Sequence, residues 1–124
     1  MSSFVDPTPA AINSLQPAFQ PYAIYFINAL RDAGWPAIIT SGTRSAAHNA
    51  AVGGAQDSHH LMGTAFDYGV LGYVLLDQDP AALLAVGEFG EQLGLRWGGR
   101  FSSYDPGHFD TGQFALPAQN ALIA

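Results

Sequence analysis

The chain has 124 residues, enough for one domain with a real core, and 48% of them are apolar, which excludes a disordered chain. A net charge of −6, with four arginines and no lysine, argues against a nucleic-acid partner, because phosphate binding draws on clustered basic residues. Cysteine is absent, which excludes disulfides and a thiolate metal site.

The chain also lacks the signatures of membrane insertion and export. It has no apolar run long enough for a membrane span, and its N-terminus lacks the charged and apolar regions of a secretory signal. The sequence therefore predicts a protein that is cytoplasmic as synthesised and makes no stable membrane insertion. We expect a single domain over residues 1–124, with the motif-bearing core at about residues 36–112.

The first half of the chain predicts three helices and one strand. Thr8 and Pro9 are typical of an N-cap followed by the first helical residue, and Pro21 is typical of a second helix start. Ser45 is a candidate cap for a third helix. The expected helices are Thr8–Leu15, Tyr22–Ala33 and Ser45–Val52, and the expected strand is Ala37–Thr40.

The second half predicts short strands around one longer helix. The segments 55–63 and 98–107 are typical of loops. The helix starts after Asp79, although Gly87 and Gly90 are unfavourable inside it. The expected strands are Thr64–Val70, Leu95–Trp97 and a segment that begins at His108. Helices and short strands without regular βαβ units favour an α+β fold.

Three of the four histidines fall in two segments, 58–67 and 105–108. A histidine, a carboxylate and a second, distant histidine are what a catalytic zinc ion needs if one coordination position is to stay open for water. His60 and Asp67 are separated by six residues, which is not a helical spacing and suits a loop ligand and a strand ligand. His108 would come from a separate strand. On zinc held in this way, the pKa of a bound water falls to about 7.

Each of these residues alone also has an ordinary interpretation. A lone histidine is most often a surface or hydrogen-bonded residue, Asp67 could end a strand, and residues 105–107 form a common turn sequence. Trp97 is typical of a core residue, and Tyr104 is a candidate for the wall of a cleft. The combination of the two segments favours a metal site.

Three segments resemble one family. Residues 58–67, Ser-x-His-x-x-Gly-x-Ala-x-Asp, resemble the first zinc motif of the D-alanyl-D-alanine carboxypeptidase and L-alanyl-D-glutamate endopeptidase family. Residues 97–109, with Trp-Gly-Gly and then Asp-x-x-His-Phe, are similar to the second motif of its phage endolysin branch. Residues 41–45, Ser-Gly-Thr-Arg-Ser, are similar to the stretch that precedes both. The matches occur in the family's order.

The resemblance implies a Hedgehog/DD-peptidase-like α+β domain whose short antiparallel sheet carries a Zn²⁺ ion. The implied zinc ligands are His60, Asp67 and His108. The resemblance places Asp105 at the position of the catalytic acid and base. It also implies that Arg44 binds a substrate carboxylate and that Ser58 helps to orient the substrate.

Some positions depart from the family pattern. His48 stands where glutamine is common, Arg100 where an acidic residue often follows the two glycines, and Asp110 where glutamate or glutamine is common. These departures leave the zinc site intact and the substrate preference open. Only His60 gives both the Ser-x-His and the His-to-Asp spacing, so His59 is expected in a loop, at the rim of the cleft.

The implied activity is zinc-dependent hydrolysis of an amide bond in the peptidoglycan stem peptide. Asp105 would take a proton from the attacking water and return it to the leaving amine. The endolysin-like motif favours an L-Ala–D-Glu endopeptidase over a D-Ala-D-Ala carboxypeptidase, and a phage virion protein with a structural zinc is a third interpretation. A nuclease fits poorly with the acidic charge. The family implies that the protein meets the cell wall after holin-dependent release or from a phage particle.

Overall fold

Helices pack against one face of a small sheet in the computed structural model, which describes residues 4–53, 58–72 and 78–112. The helices of this part of the chain are α1 (Thr8–Ser14), α2 (Gln20–Asp32), α3 (Ala46–Ala51), α4 (His59–Met62) and α5 (Pro80–Gln92). The strands are β1 (Ala37–Ser41), β2 (Ala65–Val70), β3 (Arg96–Trp97) and β4 (His108–Asp110), with a 3-10 turn at Gly98–Arg100. The strands lie in the order β1-β2-β4-β3, and each neighbouring pair is antiparallel. The expected α+β fold is confirmed.

Proline and side-chain caps start several helices as the sequence predicts. Both α2 and α5 carry proline in their first turn, where a missing N–H costs nothing. Asp79 caps α5 by accepting a hydrogen bond from the N–H of Ala82 at 3.1 Å. Ser45 caps α3 in the same way, accepting from the N–H of His48 at 3.1 Å.

The prediction of Thr8 as the N-cap of α1 is wrong. Pro7 holds the cap position, and Thr8 is the first helical residue. The carboxylate of Asp6 accepts a hydrogen bond from the N–H of Thr8 at 2.9 Å, while the Thr8 hydroxyl accepts one from the N–H of Ile39 at 2.9 Å. Thr8 therefore ties α1 to β1 instead of capping the helix.

The predicted loop at residues 55–63 is wrong in its second part, where α4 forms one helical turn. Ser58 caps this turn by accepting a hydrogen bond from the N–H of His60 at 3.2 Å. Gly63 ends it with a left-handed φ of 74°. Residues 54–57 lie outside the described residues.

Side chains alternate along the strands, so the sheet has an apolar face and a polar face. The apolar face carries Phe66 and Tyr68 of β2 and Phe109 of β4. Phe26 of α2 packs on it, with its ring centroid 4.8 Å from that of Phe109 and 5.3 Å from those of Phe66 and Tyr68. Burying each such ring stabilises the fold by about 1.5–3 kcal/mol. The alternating residues, such as Asp67, lie on the opposite face.

The helices supply the rest of the core. Five helix residues are predicted from the sequence as core residues: Phe26, Leu30, Leu83, Phe89 and Leu93. The first three are buried and the other two are partly buried against them. Trp97 is also buried, as predicted. Within the described ranges, no helix combines the length and the apolar character needed to cross a membrane.

Candidate metal centre

His60, Asp67 and His108 converge on the polar face of the sheet. Nε2 of His60 lies 3.2 Å from Nδ1 of His108 and 3.3 Å from Oδ2 of Asp67. Nδ1 of His108 lies 3.3 Å from Oδ1 of Asp67. One potential ligand atom from each residue lies within 4.8 Å of the other two. The structure thus brings together the three residues that the sequence proposes as zinc ligands.

The sheet register places two of these residues side by side. Asp67 of β2 and His108 of β4 are direct partners in the antiparallel ladder, so their side chains project from the same face. His60 comes from α4, and its carbonyl oxygen accepts a hydrogen bond from the N–H of Arg44 at 2.9 Å. His60 therefore lies on a helical turn, and its expected position in a loop is wrong.

Hydrogen bonds outside the cluster determine which ring nitrogens face it. Nδ1 of His60 lies 2.7 Å from the carbonyl oxygen of Gly42. Because a carbonyl only accepts hydrogen bonds, Nδ1 carries a proton and Nε2 is directed at the cluster. Nε2 of His108 lies 2.7 Å from Oδ2 of Asp110, which leaves Nδ1 on the cluster. Each imidazole thus presents one nitrogen to a shared point.

Burial and ion pairing act on the cluster in opposite directions. Burial raises the pKa of Asp67, but hydrogen bonds from His108 and His60 outweigh it and hold that pKa below its ordinary value. Burial lowers the pKa of His108, but the carboxylates of Asp110 and Asp67 outweigh it and raise that pKa to about 9. In the metal-free protein the cluster therefore holds a proton that a metal ion would replace.

Arg44 contacts the cluster directly. Its Nη2 donates to Oδ2 of Asp67 at 3.1 Å, and its Nη1 donates to Oδ1 of Asn49 at 3.2 Å. The side chain is 16% exposed and lines the adjoining cleft. Arg44 is thus paired with a candidate metal ligand, and its expected contact with a substrate carboxylate stays a prediction.

The cluster opens into a cleft of about 610 Å³. Asp105, Ser58, His59 and Phe101 are among the residues that line it. Burial raises the pKa of Asp105, and the negative charge of Asp67 raises it further. A carboxyl group of raised pKa beside such a cluster is suited to accept a proton and return it.

The Trp-Gly-Gly sequence determines where Asp105 lies. The N–H of Asp105 donates to the carbonyl oxygen of Gly98 at 3.0 Å, and the N–H of His108 donates to the carbonyl oxygen of Asp105 at 3.1 Å. Nε1 of Trp97 donates to the carbonyl oxygen of Pro106 at 2.8 Å. A Cβ atom at Gly98 would meet the Asp105 carbonyl oxygen. Glycine is therefore required for the close approach of these two backbone segments.

The remaining candidates around α4 have structural partners. Ser58 lines the cleft, but its hydroxyl accepts the hydrogen bond that caps α4 from the N–H of His60. Nδ1 of His59 lies 2.9 Å from Oγ1 of Thr64 and 3.3 Å from Oγ1 of Thr111. His59 therefore lies on the wall of the cleft, and a different ring, that of His60, reaches Asp67 and His108.

Sequence reasoning missed the residues around His108. In the sequence, Asp110 differs from its surroundings only as a departure from the family pattern. In the structure, its carboxylate contacts the His108 ring. Nε and Nη2 of Arg96 donate to the two carboxylate oxygens of Asp110 at 2.8 Å each. A signal was available, because residues two apart on a strand share a face. Tyr104, a candidate for the cleft wall, is 61% exposed and is not among the described residues that line the cleft.

The donor set fits a zinc ion. Two imidazoles and one carboxylate are ligands that zinc takes in catalytic sites with three protein ligands. The second nitrogen of each imidazole already has a carbonyl or carboxylate partner, as ligating histidines usually have. Among the described residues the cluster comprises three such groups and opens into the cleft. The cluster and its cleft therefore form a candidate metal centre with the ligand set of a catalytic zinc site.

The chain belongs to the peptidase M15 family, whose profile matches residues 7–88. The matched segment contains His60 and Asp67 and ends before Asp105 and His108. None of the curated proteins matches the chain significantly. With the family and the donor set in place, the protein is a zinc metallopeptidase.

Two solved structures share the fold. The L-Ala D-Glu endopeptidase ChiX of Serratia marcescens is 22% identical, with a TM-score of 0.56 over 86% of this chain and 87% of that chain. The vancomycin-resistance D,D-pentapeptidase VanY, from the VanB-type cassette and in complex with Zn(II), is 19% identical, with a TM-score of 0.56 over 79% of this chain and 73% of that chain. At these identities the likeness concerns the fold.

Proposed function

We propose that this zinc metallopeptidase hydrolyses an amide bond in the stem peptide of peptidoglycan, and that the bond joins L-Ala to D-Glu. The observation that carries the proposal is the cluster of His60, Asp67 and His108, which opens into a cleft whose wall contains Asp105. The choice of bond is supported by the fold shared with ChiX, an L-Ala D-Glu endopeptidase, and by the endolysin-like sequence of residues 97–109.

In the proposed site, His60, Asp67 and His108 hold the zinc ion. When bound, zinc polarises the scissile carbonyl and lowers the pKa of water. Asp105 accepts the proton of the attacking water and then returns it to the leaving amine, which completes the hydrolysis. Burial and the negative charge of Asp67 raise the pKa of Asp105, which is the direction that suits a carboxyl group that accepts a proton and returns it.

We assign the positioning of the substrate to the wall formed by Arg44 and Ser58. The guanidinium of Arg44 lies in the cleft and already binds one carboxylate, that of Asp67, at 3.1 Å. It carries more N–H donors than its contacts with Asp67 and Asn49 occupy, so it can also bind a substrate carboxylate. Ser58 lines the same cleft and is proposed to help orient the peptide.

A D-Ala-D-Ala carboxypeptidase is the second candidate, because VanY, a D,D-pentapeptidase, shares the fold to the same TM-score of 0.56. Arg44 would then bind the terminal carboxylate of the substrate. A phage virion protein with a purely structural zinc is disfavoured, since such a site has no use for Asp105 in the cleft.

We further propose that the protein reaches the cell wall as phage endolysins do, through holin-dependent release or on a phage particle. The support is the similarity of residues 97–109 to the endolysin branch. The proposed partner is the stem peptide. The net charge of −6 disfavours a nucleic acid as an alternative substrate.

The proposal is tested by digesting purified peptidoglycan with the zinc-loaded protein and identifying the new termini by mass spectrometry. We expect new D-Glu amino termini and L-Ala carboxyl termini, and none after chelation. Release of D-Ala would support the carboxypeptidase instead. A zinc-loaded protein that produces no new termini would overturn the proposed action on peptidoglycan.

A further inference from the structure

The carboxylate of Asp110 is held by donors on every side. Oδ1 accepts from Nε of Arg96 at 2.8 Å and from the N–H of Gly112 at 2.6 Å. Oδ2 accepts from Nη2 of Arg96 at 2.8 Å and from Nε2 of His108 at 2.7 Å. The side chain of Asp110 is 1% exposed. A buried carboxylate with four short contacts has one orientation, and it therefore restricts the ring of His108.

The sheet builds this arrangement from three neighbouring positions. His108 and Asp110 lie two residues apart on β4, so both project from the polar face. Arg96 is the direct partner of Asp110 across the β3–β4 ladder, which brings its guanidinium onto the carboxylate. The guanidinium carbon also lies 4.9 Å from the centroid of the Phe101 ring, whose own centroid is 5.7 Å from that of His108.

We propose that Arg96 and Asp110 form a positioning pair that holds His108 with Nδ1 directed at the metal. Arg96 orients the carboxylate, and the carboxylate accepts the proton of His108 Nε2, which keeps the opposite nitrogen available as a ligand. The contact that links this pair to the metal cluster is the one between Oδ2 of Asp110 and Nε2 of His108, so the pair acts through His108. The inference deepens the proposed function and rests on it.

A purely structural salt bridge is the competing interpretation. Most exposed ion pairs contribute little, and the Arg96 side chain is 47% exposed. Its partner carboxylate is buried, however, and is shared with the imidazole that faces the metal cluster. The bridge between Arg100 and Glu91 supplies a matched comparison, because it is also bidentate, at 3.0 and 3.2 Å, and does not touch the cluster.

The test compares Asp110→Asn, Arg96→Gln and the control Glu91→Gln with the wild type. Zinc affinity is measured by competition with a chromophoric chelator, and the visible spectrum of the cobalt-substituted protein reports the coordination geometry. We expect Asp110→Asn to lower zinc affinity by about 10- to 100-fold, as loss of an outer partner of a ligating histidine does. Arg96→Gln should lower it by a smaller factor, and both should alter the cobalt spectrum. Glu91→Gln should change neither.

A folded Asp110→Asn protein with wild-type zinc affinity and an unchanged cobalt spectrum would overturn the proposal. If circular dichroism shows that the Asp110→Asn protein is unfolded, the test rests on Arg96→Gln. An Arg96→Gln protein with wild-type zinc affinity and an unchanged cobalt spectrum would then overturn the proposal. A failure of the proposed function can be distinguished from a failure of the positioning pair. A wild type that binds zinc but leaves peptidoglycan intact refutes the substrate, while the affinities of the variants still judge the positioning pair.

Discussion

The N–H of Asp105 donates a hydrogen bond to the carbonyl oxygen of Gly98 at 3.0 Å, so the proposed acid–base residue is tied to the turn that follows β3. The N–H of His108 in turn donates to the carbonyl oxygen of Asp105 at 3.1 Å. The proposed proton acceptor therefore lies in a short loop that leads directly into β4, whose first residue is the candidate zinc ligand His108. The backbone of this loop determines how Asp105 lies relative to the metal ligands.

Gly98→Ala should slow hydrolysis and also weaken zinc binding, because the added Cβ would meet both the Asp105 backbone and the Cβ of the candidate ligand His108. The added Cβ would meet the carbonyl oxygen of Asp105 and move that residue away from its position. A displacement of about 1 Å near a catalytic group costs about 100-fold in rate. The measurement is kcat/KM together with the zinc content of the purified variant.

Gly69→Ala is the matched control, because its Cβ would lie 3.4 Å from Cγ2 of Thr40, an ordinary contact. It should keep wild-type activity. A Gly98→Ala protein that hydrolyses its substrate at the wild-type rate would show that the close approach is not required.

His60→Ala and His59→Ala should differ in zinc binding. Nε2 of His60 lies within 3.3 Å of Asp67 and His108, whereas Nδ1 of His59 contacts Thr64. Loss of a ligand should exceed the effect of losing an outer partner, so His60→Ala should weaken zinc binding by more than about 100-fold. Calorimetric titration with zinc measures this.

His59→Ala should bind one zinc per chain with near wild-type affinity. The opposite result, with zinc lost in His59→Ala and kept in His60→Ala, would show that the neighbouring histidine is the ligand.

The metal-free protein should lose stability as the pH rises from neutral towards 9. The pKa of His108 is raised from 6.5 to about 9, so its contribution is fully present below 6.5 and is lost as the pH rises through about 9. The pKa of Asp110 is lowered from 3.8, so its contribution is present above that value and is lost on acidification. Urea unfolding of the chelator-treated protein over this pH range measures the free energy.

His108→Asn is the control for this pH dependence, because it removes the titrating ring. The decline above pH 6.5 should be smaller in this variant. Zinc should reverse the trend in the wild type, since it replaces the proton on His108 and binds more tightly as the pH rises. A metal-free wild type whose stability is constant from pH 6.5 to 9 would contradict the assignment.

Tyr68→Phe should stabilise the protein. Within the described residues, the hydroxyl of Tyr68 is a buried polar group without a hydrogen-bond partner, although its ring packs in the core. An unsatisfied buried hydroxyl costs about 1–3 kcal/mol, and phenylalanine keeps the ring without it. Thermal unfolding should show the gain. Tyr25→Phe, at a position 63% exposed, should leave stability unchanged, and a destabilised Tyr68→Phe would reveal a partner for the hydroxyl.

Much of the fold follows from local signals in the sequence. Asp79 and its following proline predict the start of α5, and the spacing of apolar residues predicts the buried face. Gly87 and Gly90 lie inside α5 although glycine disfavours helical backbone. The structure explains them, because a Cβ at these positions would meet the rings of Trp97 and Phe109. That reason depends on packing between distant segments and is not visible locally.

The same limit applies to the candidate site. The motif spacing indicates His60, Asp67 and His108 because their types and order suit zinc. The partners that orient the rings, such as the Gly42 carbonyl and Asp110, depend on which strands pair and in which register. A single sequence shows which residues can bind the metal more readily than it shows which contacts orient their side chains.

Asp105→Asn tests the central claim most directly when zinc content and the rate of peptidoglycan hydrolysis are measured on the same protein sample. Asparagine keeps the size of the side chain but cannot accept and return the proton. We predict one zinc per chain, as in the wild type, and a rate lower by about 10²- to 10⁴-fold. An Asp105→Asn protein that keeps its zinc and hydrolyses peptidoglycan at the wild-type rate would contradict the account.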